Sequence, residues 1–383
     1  MNKTIKIFLF LSLFLSLYGC WDSIELTNIF MVTGISIDTV DEEGKIELGI
    51  QVIKPRSSNS EESKTSETIF FYDDGDNISE CLTKISKNIN RKLFLKHNQV
   101  LLIGENLAKK GFIKYLDFFI RNSQARIEVL LFITEGKARE YLKAKIDESE
   151  VSGIFLSELI HNLANVSEMY RVRIIDFMSY YLSDTSSTYI PFISISDKHD
   201  DIKDIKISGY SILKKDKFLY VLENNMLMEF SWFYGVNKCK LELKSEEGEI
   251  IFSIKKIDVK KKYHYDDTLF INLKINAVLE VEEIEGFTDY EKNELIEHLK
   301  KETNKEIIKK MEEVFKLTQK NNTDIFEIGL DIYRFHNKLF KNIEYMWEEV
   351  YQKSQLNFQV KSNIIDVGKV IESLEMEKNN EHR

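Results

Sequence analysis

Proline is nearly missing from this chain, with only Pro55 and Pro191 among 383 residues, so long proline-rich spacers are excluded. Cysteine is almost as scarce. Cys20, Cys81 and Cys239 are the whole supply, which rules out a disulfide framework and any C-x-x-C metal or redox motif. A Cys81–Cys239 bridge is chemically permitted, but two separately buried thiols is the preferred expectation. Basic charge is in deficit, 53 Lys+Arg against 63 Asp+Glu, for a net charge of −10. A surface of that sign repels phosphate backbones, so no nucleic-acid partner is expected. Seven histidines are present and no two lie within five positions, which excludes H-E-x-x-H and similar close zinc pairs. No G-x-S-x-G elbow, P-loop or G-x-G-x-x-G occurs. His264, Asp266 and Asp267, and the acids Asp38, Asp41, Glu42 and Glu43, are expected to be solvated turns rather than metal sites. The expectation is therefore a non-enzyme, without cofactor, metal or catalytic residues.

What is present starts at the N-terminus. Lys3 and Lys6 precede an apolar run over residues 7–17, interrupted only by Ser12 and Ser16. Eleven helical residues span about 16 Å against roughly 30 Å of bilayer hydrocarbon, too short to cross but right for a signal-peptide core. The run closes in Leu17-Tyr18-Gly19-Cys20, with a small residue immediately before the cysteine. That arrangement predicts a cleaved lipoprotein signal peptide over residues 1–19 and lipidation of Cys20. Tyr18 stands where a small or branched residue is usual. Acyl chains at about 0.8 kcal/mol per buried CH₂ would hold the chain to a membrane without help from surface charge.

Behind the anchor the hydrophobic patterning predicts α+β architecture: mixed sheets, each packed with helices, in more than one domain. Residues 29–53 read as two strands around the turn Asp41-Glu42-Glu43-Gly44, and residues 54–67, rich in serine, as an exposed loop. Helices are expected over 78–92, 106–121, 152–165 and 171–183, and strands over 100–103, 129–134 and 189–195. Alternation at this spacing suggests a βαβ unit with parallel pairing. The charged stretch 196–204 is the candidate boundary between an N-terminal domain over 20–197, divisible into two subdomains, and a C-terminal domain over 205–375. The second domain should open on a hairpin (207–213 and 218–222), followed by a short helix and antiparallel strands around 241–243, 250–259 and 269–281. A long helix to about 319, with a Thr288/Glu291 capping box, a second over 324–353 broken near Phe340, and a closing strand at 358–365 complete it. Lys255, Lys256 and Lys260 to Lys262 are expected on an exposed strand edge guarded by charge, a lipid-facing patch being the second reading.

Several short motifs together resemble one family. Cys20-Trp21-Asp22 with Glu25-Leu26 is similar to the mature start of the C-subunit lipoproteins of bacterial spore germinant receptors, the Ger(x)C family. Gly34-Ile35-Ser36-Ile37-Asp38, His97-Asn98-Gln99-Val100-Leu101-Leu102-Ile103-Gly104-Glu105 and Leu116 to Arg121 continue the resemblance. In the second half Gly209, Asp324-Ile325-Phe326, Arg334, Trp347 and Gly368 do the same. Glu327 departs from it, standing where the family usually has glycine. The resemblance implies a subunit rather than a catalyst, partnered with receptor A and B subunits and lipid-anchored to the outer face of the cell membrane, which is the inner membrane of the spore. It would be required for germination in response to small nutrients. A substrate-binding lipoprotein of a membrane transporter is the alternative. Candidate interface residues are Trp21, Asp22, Glu25, His97 and Arg121. The Trp21 indole suits headgroup depth as well as packing. His97 is expected as a capped core histidine, with a subunit contact as the other reading. Arg121 is expected in an i,i+4 pair with Asp117.

Overall fold

A computed structural model describes residues 28–42, 44–53, 68–147, 149, 151–166, 171–183, 185, 187–235, 240–287, 290 and 292–365. The first sheet contains β1 (Ile29–Thr39), β2 (Ile46–Ile53), β3 (Thr68–Gly75), β4 (Lys92–Phe94), β5 (Val100–Gly104), β6 (Leu130–Thr134), β7 (Thr188–His199), β8 (Ile202–Lys214) and β9 (Lys217–Glu223). Its order is β3-β2-β1-β5-β6-β7-β8-β9, with β4 beside the start of β1. The three central junctions β1–β5, β5–β6 and β6–β7 are parallel, and antiparallel pairs flank them on both sides. The expected parallel βαβ pairing is thus present. The turn between β1 and β2 is held by Asp41, whose Oδ1 accepts the backbone N–H of Gly44 and of Lys45, each at 3.0 Å.

Helices cover both faces of this sheet: α1 (Ile78–Lys87), α2 (Glu105–Lys110), α3 (Ile113–Arg121), α4 (Ala138–Lys143), α5 (Ser152–Val166) and α6 (Ile174–Tyr181). Leu101 and Ile103 of β5 pack toward α1, α2 and α3, while Val100 and Leu102 pack toward α4 and α5. Two-sided burial is why β5 and β6 are apolar at nearly every position rather than alternating. The helix expected over 106–121 is two helices, because Gly111 turns the chain at φ +101° and its N–H closes on the Leu107 carbonyl. The first helix stops at Lys87, and residues 92–94 become β4. β3 was not anticipated: its residues are all half-buried or exposed until Gly75, as befits a sheet edge, so period-two contrast is weak.

The interval 196–204, expected to separate two domains, is the tight end of the β7–β8 hairpin, and the first sheet runs through it to Glu223. The hairpin expected over 207–222 is the β8–β9 pair. After α7 (Leu227–Trp232), the second sheet orders β10 (Lys240–Ser245), β11 (Gly248–Asp266), β12 (Thr268–Gly286) and β13 (Gln355–Ile365). β11 and β12 pair along their whole length, and residues 254–266 of β11 lie beyond the reach of β10. Lys255, Lys256, Lys260 and Lys262 are accordingly on an exposed edge, while Lys261 turns to the inner face. One face of this sheet meets solvent; the other packs under α8 (Lys292–Lys320), α9 (Ile328–Phe335), α10 (Asn337–Ile343) and α11 (Trp347–Lys353). The break expected near Phe340 falls on both sides of it, at His336 and at the 3₁₀ turn Glu344–Met346. Thr288 and Glu291 lie outside the described residues, as do the loop 54–67, Gly368 and Cys239. Cys81 is a buried free thiol, and burial pushes it up to about 11.

Candidate interaction site

The first motif residues build the junction between strand ends and helix starts. Asp38 closes β1, and its carboxylate accepts the N–H groups of Ala138 (2.7 Å) and Arg139 (3.0 Å), capping α4 from a distance of 100 residues in sequence. Burial raises this carboxyl above the usual carboxylate range, while the two N–H donors act in the opposite direction. Gly104 at the end of β5 is required beside it, since a Cβ there would stand 2.1 Å from Asp38 Oδ1. Arg139 completes the corner with an ion pair to Glu47 at 2.7 Å. A second node is Gln51: its Nε2 donates to the Leu142 carbonyl, and its Oε1 accepts from Thr33 and from the Gly153 N–H. It ties β1, β2, α4 and α5 through one buried amide.

The second-half motifs converge on the joint between the two sheets. The Asp324 carboxylate accepts the N–H groups of Ile328 (3.0 Å) and Gly329 (2.8 Å), and its carbonyl accepts from Ser187 at 3.1 Å. Burial pushes this carboxyl up to about 7, against the two N–H donors and the nearby Lys261. Trp347 Nε1 donates to the Thr185 carbonyl at 3.0 Å, and Gly329 is wedged between Thr185 and Trp347. Tyr220 meets the Thr323 hydroxyl at 2.9 Å, and Tyr234 donates to the Ile325 carbonyl at 2.5 Å. An aromatic chain fills the space between, with Tyr189 on Phe230 (5.1 Å), Phe230 on Phe326 (5.8 Å) and Phe233 stacked on Phe326 (3.9 Å). Lys261 and Tyr263, on the inner face of β11, both reach the Asp331 carboxylate of α9. These residues hold the architecture at the joint between the two sheets.

Cys20, Trp21, Asp22 and Glu25 lie outside the described residues. His97 is exposed on the 3₁₀ turn Leu95–His97, which corrects the expectation of a core histidine. The buried member of that motif is Asn98, 1% exposed, whose side-chain amide finds no partner among the described residues. Spacing from the buried strand does not separate the two, because the 3₁₀ turn shifts the phase by one residue. Arg121 is exposed and its Nε sits 2.7 Å from the Asp117 carboxylate, the i,i+4 pair that the spacing predicts. The structure places His97 and Arg121 on different elements with no contact recorded between them. A cavity of about 420 Å³ adjoins this region, lined by Gln99, His161 and the pairs Arg126–Glu128 and Arg173–Asp176. Sequence spacing alone did not assemble it, since its residues come from four separate segments. Among the described residues no helix is long and apolar enough to cross a membrane, and no cluster of three metal-ligating side chains occurs.

The chain is thus a mixed α+β protein of two helix-packed sheets, tied by motif residues that point inward. Comparison with known families agrees on both halves. Residues 22–195 match the spore germination protein N-terminal domain, and residues 208–368 match the spore germination B3/GerAC-like C-terminal domain. The chain belongs to this GerAC family of spore germination proteins, and its role lies in spore germination. Relatives in Bacillus subtilis (strain 168) include spore germination protein B3, 23% identical over 93% of this chain and 96% of its own length. Spore germination protein KC is 21% identical over 87% of this chain and 88% of its own. The putative spore germination protein YfkR is 28% identical, the match spanning 58% of this chain and 59% of that protein. The crystal structure of the GerBC protein superposes with a TM-score of 0.58 at 18% identity, covering 87% of this chain and 97% of that one, so the fold is shared.

Proposed function

We propose that this chain is a lipoprotein subunit of a nutrient germinant receptor, anchored through lipid on Cys20 to the outer face of the cell membrane, the spore's inner membrane. It works there without catalysis, assembling or signalling with the receptor's A and B subunits. The observation that carries this reading is the family match over both halves of a chain whose leader ends in Tyr18-Gly19-Cys20. The motif residues support it: Asp38, Gly104, Asp324 and Trp347 fix the scaffold rather than line a reaction centre. A two-lobed transporter-type binding protein needs lobes that part, and here Phe230, Phe233 and Phe326 fill the joint.

Intact mass and membrane fractionation of the wild type beside Cys20→Ala test the anchor. The wild type should lose residues 1–19 and gain acyl mass, and the variant should keep its leader and gain none. Identical processing of the two would remove the anchor. Deletion of the gene should abolish or slow germination toward at least one small nutrient, scored by loss of spore refractility, with complementation restoring it. Unchanged germination toward every nutrient, in a strain without a sister copy, would remove the receptor role.

A further inference from the structure

The first sheet is electrically polar along its strands. Because β1, β5 and β6 run parallel, their starts gather at one end, and β4 joins them there by pairing with Ile29 to Met31. The backbone adds residues 171–175 to that end, since Leu131 N–H donates to Val172 and Ile175 N–H to Ile127. Between Glu80 and Glu105 the sequence holds no acid at all, in a chain whose net charge is −10. Lys87, Arg91, Lys92, Lys96 and Arg171 stand at this end, and among the described residues none of them forms an ion pair. Of the acids there, Asp117, Glu128 and Asp176 are each matched by an arginine, Arg121, Arg126 and Arg173, and Glu158 on α5 stands exposed near them. The opposite end, where the same strands finish, carries Asp38, Asp41, Asp73, Asp74, Glu105 and Glu135, with Lys45 paired to Asp74, Lys109 to Glu105 and Arg139 to Glu47.

A second feature coincides with the cations. Phe94 (38% exposed), Ile127 (40%) and Ile175 (41%) present large apolar side chains to solvent at the same end. Exposed apolar groups ringed by lysine and arginine suit the boundary between headgroups and acyl chains, where apolar tips enter and cations meet phosphate. Scattered single hydrophobics need no explanation, but these three share one end with Lys87, Lys92, Lys96 and Arg171, Arg91 being turned onto the Phe30 ring. The third observation is covalent. β1 begins at Ile29, nine residues after Cys20, so that end of the sheet stays within about 30 Å of the anchor. The linker's own charges, Asp22 and Glu25, are acidic, so attraction has to come from the sheet end.

The geometry points to the strand-start end of the first sheet as a docking surface for a bilayer with anionic headgroups. Lys87, Lys92, Lys96 and Arg171 meet the headgroups, Phe94, Ile127 and Ile175 enter the interface, and the acidic strand ends face away. The choice of a bilayer rests on the Cys20 anchor proposed above. The anchor limits how far the protein strays; this surface decides which way it faces. The exposed remainder of the molecule, including the second sheet, is then left free for protein partners.

The test is lysine acetylation footprinting of the full acylated chain on vesicles of phosphatidylcholine alone and of phosphatidylcholine mixed with phosphatidylglycerol, read by mass spectrometry. Lys338 and Lys341, exposed on α10, serve as internal references. Expected is a drop of about threefold or more in modification of Lys87, Lys92 and Lys96 on the anionic vesicles only. The drop should vanish at about 1 M salt, where the Debye length is ~3 Å, and at the remaining Lys87 in Lys92→Glu/Lys96→Glu. Equal modification on both vesicles overturns the proposal, as does protection that ignores salt. Protection that appears only on adding an acidic protein also overturns it, passing the surface to that partner. Flotation with phosphatidylcholine vesicles reports the anchor separately, so loss of the anchor and loss of the surface give different results.

Discussion

At the scale of single residues, a few buried polar side chains hold together segments that are distant in sequence. Gln51 and Asp38 each satisfy groups on helices about 100 positions away. Asp38 and Asp324 are both buried and raised by burial, and Asp324 is pushed up to about 7. An unfolded aspartate titrates near ~3.9. Between those values the folded state keeps a proton that the unfolded state has released, so folding binds protons as pH rises through the interval. The stabilisation is fully present below about pH 4 and is lost by about pH 7, amounting to at most ~4 kcal/mol. Urea unfolding of the wild type and Asp324→Asn across this range should show their stability difference changing between about pH 4 and 7 and flat outside it. Parallel curves would mean that Asp324 is not the group that titrates.

At the scale of elements, helix and strand boundaries follow backbone chemistry. Gly111 splits one expected helix into α2 and α3. Glu327 precedes α9 in the left-handed region, φ 55° and ψ 30°, the conformation that glycine adopts at no steric cost. That explains why the resemblance carries glycine there. Glu327→Gly should raise stability by about 0.5–1 kcal/mol, the relieved strain exceeding glycine's greater unfolded-state entropy. Thermal unfolding would detect this as a Tm rise of a few degrees; a fall would show that the Glu327 side chain holds α9 in place. The second sheet shows the other rule of element formation. Its solvent face alternates cleanly, and its inner lysine, Lys261, is satisfied by Asp331.

At the scale of the molecule, the two sheets share one hydrophobic core. Residues of β1, β5 and β6 belong to the same buried cluster as those of β11, β12 and α8. Phe326 sits at its waist, stacked on Phe233 and touching Phe230 and Phe315. Two family domains packed through such a joint should unfold together. Calorimetry should record one transition, with Phe326→Ala lowering it as a whole at a cost of about 3–5 kcal/mol. Two resolved transitions, only one of them moved by Phe326→Ala, would show that the joint is weaker than its packing implies.

Much of this protein was legible in its residues alone. Periodicity marked most of the strands and helices, because burial on one face or two leaves a direct trace in local order. The short motifs from Cys20-Trp21-Asp22 onward carried the family, and the i,i+4 spacing of Asp117 and Arg121 announced their pair. Other features arose only on folding. The phase of the turn Leu95–His97 buried Asn98 and exposed His97. The edge strand β3 lacked contrast because one of its sides stays half-open. The backbone hydrogen bonds of the β7–β8 hairpin, which leave no mark on side-chain composition, carry the first sheet across the interval 196–204. The polarity of the first sheet is likewise a property of parallel register, which brings residues near 30, 92, 127 and 173 to one end. Side-chain chemistry is local and can be read along the chain; register and joint packing depend on which distant segments meet, and only the tertiary structure decides that.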